Sequence, residues 1–429
     1  MTGMPPAAWS RDAVVYEMNV RQLTPEGTFQ AAAGRLDFLR GMGFDVIWIM
    51  PHYPIGEERR KGALGSYYSI RDYRAVNPEL GTMADFDAFV ARAHRLGFRV
   101  LIDWVANHTA RDARWIGEAP ADWYERDGAG EPLVPCGWED TAKLNYANRA
   151  VWQGQIEAMR FWLEEHGVDG FRCDMAMLVP IEFWQEAARQ LRRIRPDLFL
   201  LAEAEERNLF DGAFDASYAW RLHHLMNDVA RQRCRVDRIR EYLHAEQAEY
   251  PAWALRLMFT SNHDENSWNG TARTRMGDAA EIMAALTFLL PRSLPLVYTG
   301  QEIGYDHSFA FFDRDPIPDY RPGAATEFYR RLIALRHRAP ALRSGDGGGS
   351  FVEIRNNAED CLLTFVRECA GSRVVALLNV SPYTVQADFD TGIYAGGYRD
   401  AMTGARTTLP SHLDEWMPGW SFRILEHEL

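Results

Sequence analysis

Four short segments of the chain each end an apolar run in side chains that can hold, donate or accept a proton. The segments read "DWVANH", "FRCD", "LLAE" and "SNHD", and their polar residues are Asp103, Asn107, His108, Arg172, Asp174, Glu203, Asn262, His263 and Asp264. Two carboxyl groups in different environments can together catalyse a displacement reaction, one as the nucleophile and the other as the proton donor. These residue types therefore favour nucleophilic and acid–base catalysis by carboxyl groups.

The spacing of Arg172 and Asp174 indicates that these two residues act together. Side chains alternate along a β-strand, so both lie on the same face. The guanidinium favours the charged form of Asp174, which suits a nucleophile. We expect Glu203 to lie near Asp174 and Asp264, where like charges raise its pKa and keep it protonated. These roles predict double-displacement cleavage of a glycosidic bond, with Asp174 as nucleophile and Glu203 as acid and then base.

The elements that would position these residues repeat along the chain. Amphipathic helices end near a glycine, and a short apolar strand follows at once; in one example Thr82 caps the helix, Gly97 ends it and residues 100–105 form the strand. About eight such strands predict a closed (β/α)8 barrel, in which chemistry lies at the carboxyl ends of the strands. An open doubly wound sheet is the alternative, although no glycine-rich phosphate loop follows the first strand.

Two stretches break this repeat and divide the chain into predicted domains. Residues 1–108 and 149–341 would form the barrel, and residues 109–148, rich in Trp, Pro, Gly and acidic side chains, a small insertion after the third strand. The segment "RSGDGGGS", which follows the last predicted helix of the barrel, predicts a flexible connection. Residues 342–429 alternate like antiparallel strands, and we expect them to form a C-terminal β-sandwich.

Composition and charge exclude several classes of partner. The formal net charge of -13 argues against a nucleic-acid surface. No stretch has the length of a membrane span and the amino terminus lacks a signal-peptide pattern, so we expect no membrane partner and a cytoplasmic location. The five cysteines have no paired spacing and are expected to be free thiols. The oligomeric state is left open.

Taken in this order, the four segments resemble the α-amylase family of retaining glycoside hydrolases and transglycosylases, over nearly the whole chain. The resemblance implies that Asp174 is the nucleophile, that Glu203 is the acid/base, and that Asp264 is a third carboxylate that holds sugar hydroxyls. It makes Asp103 a structural partner of the site. The family residues that bind the sugar at the cleavage point correspond to Tyr68, His108, Arg172 and His263.

The chain also departs from the family pattern. Met177 and Leu178 stand where many members have a Lys-His pair that serves the acceptor side and helps to hold calcium. Asn107 matches a family calcium ligand, but the other ligands would come from the insertion and cannot be aligned, so a structural calcium ion is left open. The chemistry itself requires no cofactor. Downstream of Asp264, "ENSWN" stands where the family often has an arginine, which leaves the donor-side contacts open.

The expected function is hydrolysis of α-1,4-glucosidic bonds in maltooligosaccharides or α-glucans through a covalent glucosyl-enzyme intermediate. Transglycosylation or sugar isomerisation through the same intermediate is one alternative, and a non-catalytic carbohydrate-binding protein is another. The presence of Asp174, Glu203 and Asp264 disfavours the carbohydrate-binding alternative. Among the tryptophans, Trp48 inside a strand favours a core position, whereas those of the insertion favour sugar stacking, namely Trp115, Trp123 and Trp138.

Overall fold

Eight parallel strands of the computed structural model, which describes residues 6–427, close into a barrel. In chain order the first ten strands are β1 Val15–Met18, β2 Val46–Ile49, β3 Arg99–Val105, β4 His108–Ala110, β5 Thr141–Lys143, β6 Gly170–Asp174, β7 Phe199–Ala202, β8 Ala216–Tyr218, β9 Leu255–Phe259 and β10 Ser293–Tyr298. The barrel has the order β1-β2-β3-β6-β7-β8-β9-β10, and β10 pairs with β1. This closure confirms the predicted (β/α)8 fold and excludes the open sheet. Residues 1–5 and 428–429 of the predicted domains lie outside the described residues.

Helices surround the barrel and connect its strands, except that α5 belongs to the insertion and α12 follows the last barrel strand. They are α1 Val20–Leu23, α2 Phe29–Ala33, α3 Leu36–Met42, α4 Met83–Arg95, α5 Arg114–Glu118, α6 Arg149–Glu164, α7 Ile181–Ile194, α8 Trp220–Ala230, α9 Asp237–Glu249, α10 Ala272–Met276, α11 Ala280–Leu289 and α12 Ala324–Arg338. Helix α4 begins as predicted, because the Thr82 hydroxyl accepts a bond from the Asp85 N–H at 3.2 Å. Gly97 follows its end with a φ of +87°. None of the helices in residues 6–427 is both long and apolar enough to cross a membrane.

Strand alternation divides the apolar side chains into an inner and an outer layer. The barrel interior is filled by large residues such as Trp48, Leu101 and Phe259, while the alternate residues pack outward against the helices. On β6, Phe171 and Cys173 face this outer layer. Arg172 and Asp174 therefore point into the barrel, as their spacing predicts.

The insertion after β3 is a small unit with its own core. Strands β4 and β5 pair antiparallel, with His108 opposite Lys143. Tyr124, Ala142 and Leu144 form an apolar cluster that lies against the start of α6. The insertion thus reaches over the carboxyl end of the barrel from one side.

The C-terminal region is an antiparallel sandwich. Its strands are β11 Ser350–Glu353, β12 Leu362–Cys369, β13 Ser372–Asn379, β14 Val385–Asp390, β15 Gly396–Asp400, β16 Arg406–Leu409, β17 His412–Met417 and β18 Phe422–Glu426. Six of them form one sheet, and β14 pairs with β17 in a second. One face of the larger sheet packs on the β14–β17 pair, and the other joins the apolar core of the barrel.

The glycine-rich segment before β11 makes close backbone contacts, and its flexibility stays a prediction. The Gly349 N–H donates to the Ala341 carbonyl at 3.0 Å. A Cβ at Gly348 would lie 2.1 Å from the Arg343 carbonyl oxygen, so glycine is needed here for close backbone contact. Beside this segment, the buried guanidinium of Arg367 on β12 donates to the Leu289 carbonyl at the end of α11, at 2.9 Å. These contacts fix the sandwich against the barrel.

Candidate active site

A cavity of about 310 Å³ opens at the carboxyl ends of the barrel strands. The strands deliver its carboxyl groups, because Asp174 ends β6, Glu203 directly follows β7, and Asp264 lies five residues after Phe259, the last residue of β9. The insertion and the loop after β10 form its rim. The cavity is also lined by Lys61, Ser66, Tyr68, His108, Trp138, Asp140, Thr141, Met175, Trp268, Phe311 and Phe312.

One buried guanidinium holds three carboxyl groups beneath the cavity. Nη1 of Arg172 lies 2.9 Å from Oδ1 of Asp103 and 3.1 Å from Oδ1 of Asp174. Its Nη2 lies 2.8 Å from Oε2 of Glu203, and its Nε donates to the Tyr218 hydroxyl at 3.1 Å. Arg172 therefore fixes both predicted catalytic carboxyl groups at once.

The charge balance around Asp174 differs from the sequence expectation. Burial, followed by the neighbouring Glu203 carboxylate, raises the pKa of Asp174 well above its usual range, although Arg172 opposes this. The prediction that Arg172 keeps the pKa of Asp174 low is therefore wrong. The physical reason is that a single guanidinium is shared among several buried carboxyl groups, so it cannot offset the desolvation of each of them.

A second charged pair lies on the opposite side of the barrel mouth. Nδ1 of His263 lies 2.5 Å from Oε1 of the fully buried Glu17 on β1, and its Nε2 lies 3.3 Å from Oδ2 of Asp264. Burial opposes the charged imidazole, but the carboxylates of Asp264 and Glu17 raise the pKa of His263 to about 9. His263 is therefore an imidazolium at neutral pH and can donate from both nitrogens.

The remaining predicted residues fall into cavity-lining and supporting positions. The Tyr68 hydroxyl lies 2.6 Å from Nε2 of His263 and donates to Oδ2 of Asp103 at 3.1 Å. His108 also lines the cavity, and burial lowers its pKa to about 4, so its ring is neutral. Asp103 is completely buried and also accepts the indole N–H of Trp48 at 3.2 Å. Asp103 thus holds Arg172, Tyr68 and Trp48 in place from below the cavity.

Two further glutamates follow Glu203 and could compete for the role of proton donor. Oε1 of Glu205 lies 3.0 Å from Nη2 of Arg256, away from the cavity. Glu206 is exposed, and its carboxylate accepts the N–H of Glu205 at 3.1 Å. Of the three, Glu203 alone lines the cavity.

The surroundings of Asn107 leave the structural calcium ion of the family resemblance a prediction. The side-chain nitrogen Nδ2 of Asn107 lies 3.3 Å from Nδ1 of His108. The main-chain carbonyl of Asn107 accepts the Leu144 N–H at 3.1 Å. Calcium in proteins prefers several carboxylate and carbonyl oxygens. Within residues 6–427, no group of three or more His, Cys, Asp or Glu side chains could hold a metal ion.

The tryptophans of the insertion divide between the cavity and the core. Trp138 lines the cavity, with its ring centroid 5.1 Å from that of His108. Trp115 and Trp123 instead pack against each other and on the small core of the insertion. These two residues therefore supply apolar surface to the insertion rather than to the cavity, and their stacking on sugar stays a prediction. Trp48 is buried inside the barrel, as predicted.

Several residues of the site escape sequence reasoning. Glu17 had a usable signal, since it is a lone carboxylate in the apolar segment "VVYEMNV", close to the end of a predicted strand. Tyr218 shares the inward face of β8, and its hydroxyl receives the Arg172 Nε bond. Phe311 and Phe312 come from a loop more than ten residues after β10, where no periodic pattern marks their position.

Comparison with known proteins agrees with this geometry. A family model described as the catalytic domain of α-amylase matches residues 10–317. This chain belongs to the α-amylase family. The α-amylase MalA of Haloarcula japonica is 31% identical to it over 423 residues, which cover 92% of this chain and 60% of that protein. The chain thus spans less than two-thirds of the length of this relative.

Two solved structures of α-amylases superpose on nearly the whole chain. A noncanonic maltogenic α-amylase from Thermotoga neapolitana has a TM-score of 0.89 and 27% identity, and the match covers 98% of this chain and 100% of that one. An α-amylase from Lactobacillus plantarum has a TM-score of 0.86 and 30% identity, with the same coverage. The barrel and the C-terminal sheets of this α-amylase family member therefore have counterparts in both.

Proposed function

We propose that this α-amylase family member is a retaining glycoside hydrolase that cleaves α-1,4-glucosidic bonds in maltooligosaccharides or α-glucans. The observation that carries the proposal is the pair of carboxyl groups, Asp174 and Glu203, held by the two terminal nitrogens of Arg172 at the edge of one cavity. Retaining glycosidases use two carboxyl groups about 5 Å apart, without room for a water molecule between them and the sugar. A pair fixed by a single guanidinium supports that close separation.

In the first step, Asp174 attacks the anomeric carbon of the bound glucose unit and forms a covalent ester with it. The glycosidic oxygen leaves and takes a proton from Glu203. Asp174 contacts Arg172 through Oδ1, so Oδ2 is the oxygen that we assign to the attack. Asp264 and His263 would bind hydroxyl groups of the same glucose unit, and Asp264 would also stabilise the positive charge that develops on its ring.

The first step requires the ionised form of Asp174. Burial and the neighbouring Glu203 raise the pKa of Asp174, whereas Arg172, which contacts its Oδ1, opposes that rise.

In the second step, water attacks the anomeric carbon of the ester from the side that the leaving group vacated. The carboxylate of Glu203 accepts the proton of this water, and Asp174 leaves as a carboxylate. The product keeps the α configuration because the carbon has been inverted twice. If a sugar hydroxyl replaces water, the same intermediate gives transglycosylation.

The experiment that tests this function is incubation of the purified protein with maltoheptaose, with and without a calcium chelator, followed by chromatography of the products. We expect only shorter maltooligosaccharides, with initial α configuration by proton NMR, and no effect of the chelator. Longer products would show a transferase. Unchanged maltoheptaose would favour the carbohydrate-binding alternative. The cytoplasmic location stays a prediction.

A pH titration tests the charged pair of His263 and Glu17. Glu17→Gln should lower the pKa of His263 from about 9, because one of the two carboxylates that stabilise the imidazolium is lost. The titration of the His263 ring, followed by NMR, should then move toward neutral pH by about one unit. The control is Glu246→Gln, a buried glutamate that pairs with Arg256. An unchanged titration of His263 in Glu17→Gln would rule out the stabilisation of the imidazolium by Glu17.

A further inference from the structure

A second cavity, of about 180 Å³, lies outside the barrel wall, between the ends of β9 and β10 and the helices α10, α11 and α12. Thr260 and Thr299, the residues directly after these two strands, line its inner side. Ala284 of α11 and Tyr329 of α12 line its outer side. The described residues that line this cavity all differ from those that line the catalytic cavity. The two cavities are therefore separate.

The inner wall of the second cavity carries a hydroxyl group that the protein does not use. Ser261 is only 1% exposed, and its Oγ has no hydrogen-bond partner among the described residues. A buried hydroxyl without a partner costs free energy. The neighbouring side chains are engaged, because Gln301 donates to Oγ1 of Thr260 at 3.1 Å and Thr299 donates to the Glu17 carbonyl at 2.8 Å. Ser261 is thus the group that a ligand in this cavity could satisfy.

The lining of the second cavity favours a small, neutral ligand with several hydroxyl groups. Hydroxyl and amide side chains line it, namely Thr260, Ser261, Asn266, Thr271, Thr299 and Gln301. The rings of Phe328 and Tyr329 offer apolar surface to the C–H groups of such a ligand. The charged residues of the lining, Arg273, Glu281 and Asp306, are exposed to solvent. Pockets for drug-sized ligands have about 300–1,000 Å³, so this smaller cavity fits one sugar ring rather than a disaccharide.

The second cavity contacts the segment of Asp264 on both sides. Ser261 lies three residues before Asp264 and Asn266 lies two residues after it, and both line the second cavity. Thr299 connects the same wall to the main chain of Glu17, the buried glutamate of the charged pair at the barrel mouth. A ligand in the second cavity would therefore support the segment of Asp264 from behind, without entering the catalytic cavity.

We propose that the second cavity binds a monosaccharide and that the bound sugar stabilises the segment of Asp264. A sugar hydroxyl would satisfy Oγ of Ser261, and the ring would pack against Phe328 and Tyr329. The choice of glucose as the ligand rests on the proposed function, because glucose is a product that hydrolysis of maltooligosaccharides can release. A ligand stabilises the conformation that it binds, so glucose should favour the arrangement in which the segment of Asp264 is already in place.

The test measures the thermal unfolding of wild type and of Ala284→Leu at rising glucose concentration. Ala284 is 4% exposed and lines the second cavity, so the larger side chain should take the space of the sugar. At ten times its apparent Kd, glucose should raise the Tm of wild type by about 2 °C more than that of Ala284→Leu. The control is Ala230→Leu, a partly buried helical alanine outside the lining of both cavities, which should keep the wild-type rise. Equal rises in wild type and Ala284→Leu would overturn the proposal.

A second variant keeps the cavity open and covers the case in which Ala284→Leu does not fold. Ser261→Ala should weaken the apparent affinity for glucose about three- to tenfold, because one hydrogen bond is lost. An unchanged affinity would overturn the site. Glucitol carries similar hydroxyl groups on an open chain and should raise the Tm of wild type and Ala284→Leu equally. A difference as large as that with glucose would overturn the preference for a sugar ring.

Hydrogen exchange tests the link between the second cavity and the segment of Asp264. Glucose should slow the exchange of main-chain amides in residues 260–269 at least about twofold in wild type but not in Ala284→Leu. The same slowing in both proteins would locate the glucose in the catalytic cavity and overturn the proposal. These measurements need no turnover, so a positive result stands even if the protein leaves maltoheptaose unchanged, and a negative one stands even if it cleaves it.

Discussion

The substitution Asp174→Asn is expected to lower kcat/KM for maltoheptaose by at least about 10⁴-fold, equivalent to about 5 kcal/mol of transition-state stabilisation. The amide cannot form the glycosyl ester, but it keeps an oxygen that can accept the Arg172 hydrogen bond. Steady-state kinetics on the natural substrate, together with thermal unfolding of the same variant, would measure both consequences. Normal turnover would exclude Asp174 as the nucleophile.

The fold should survive this change and can even gain stability. Folding raises the pKa of Asp174, so the folded state binds this proton more tightly than the unfolded state does. The contribution of Asp174 to stability therefore decreases as pH rises through the interval between the two pKa values, and ionised Asp174 is a cost at neutral pH. Asparagine removes that cost. We expect the Tm of Asp174→Asn at neutral pH to equal or exceed that of the wild type, and a much lower Tm would show a structural role instead.

Glu203→Gln should slow the cleavage of maltoheptaose by about 10²- to 10⁴-fold but slow that of an aryl α-glucoside with a good leaving group far less. The natural leaving group needs a proton as the bond breaks, whereas an activated aryl oxide leaves without one. The ratio of the two losses is the measurement. Equal losses on both substrates would contradict the assignment of Glu203 as the acid.

Neighbouring residues and an external nucleophile sharpen the assignment. Glu206→Gln is the matched control, since Glu206 is exposed and lies three residues further along the chain. It should keep wild-type rates on both substrates. With the activated substrate, azide should rescue Glu203→Ala and give the α-glycosyl azide, because the ester with Asp174 still forms. Azide should convert the same substrate to the β-glycosyl azide in Asp174→Ala, where it attacks directly.

Periodicity was sufficient to predict the barrel. Helix and strand patterns alternate clearly, and the cap at Thr82 and the glycine at 97 lie where the sequence places them. Local composition was less informative about residues whose environment is decided by packing between distant segments. The glycines before β11 indicated flexibility, yet Gly348 lies against the Arg343 carbonyl. Trp115 and Trp123 favoured sugar contacts, yet they stabilise the insertion.

Most polar residues of the site were predictable from the sequence, but its electrostatics were not. Strand ends brought the predicted residues to one cavity because parallel strands meet at a common edge. A two-residue spacing cannot reveal how many carboxyl groups share one guanidinium, and Arg172 contacts three. Phe311 lies beyond any periodic element, so its position depends on the contacts of a long loop. Local sequence patterns do not reveal such contacts.

The anchoring of the C-terminal sandwich has a consequence for protein engineering. Arg367 is buried, and burial lowers its pKa to about 9, so its charge is tolerated only because main-chain carbonyls such as that of Leu289 surround it. A truncation before β11 would expose apolar surface of the barrel and remove the donor that binds the carbonyl at the end of α11. Chimeras that exchange this sandwich between relatives should therefore carry the last turn of α11 with it. The crossover point of a viable hybrid lies inside the barrel rather than at the apparent domain boundary.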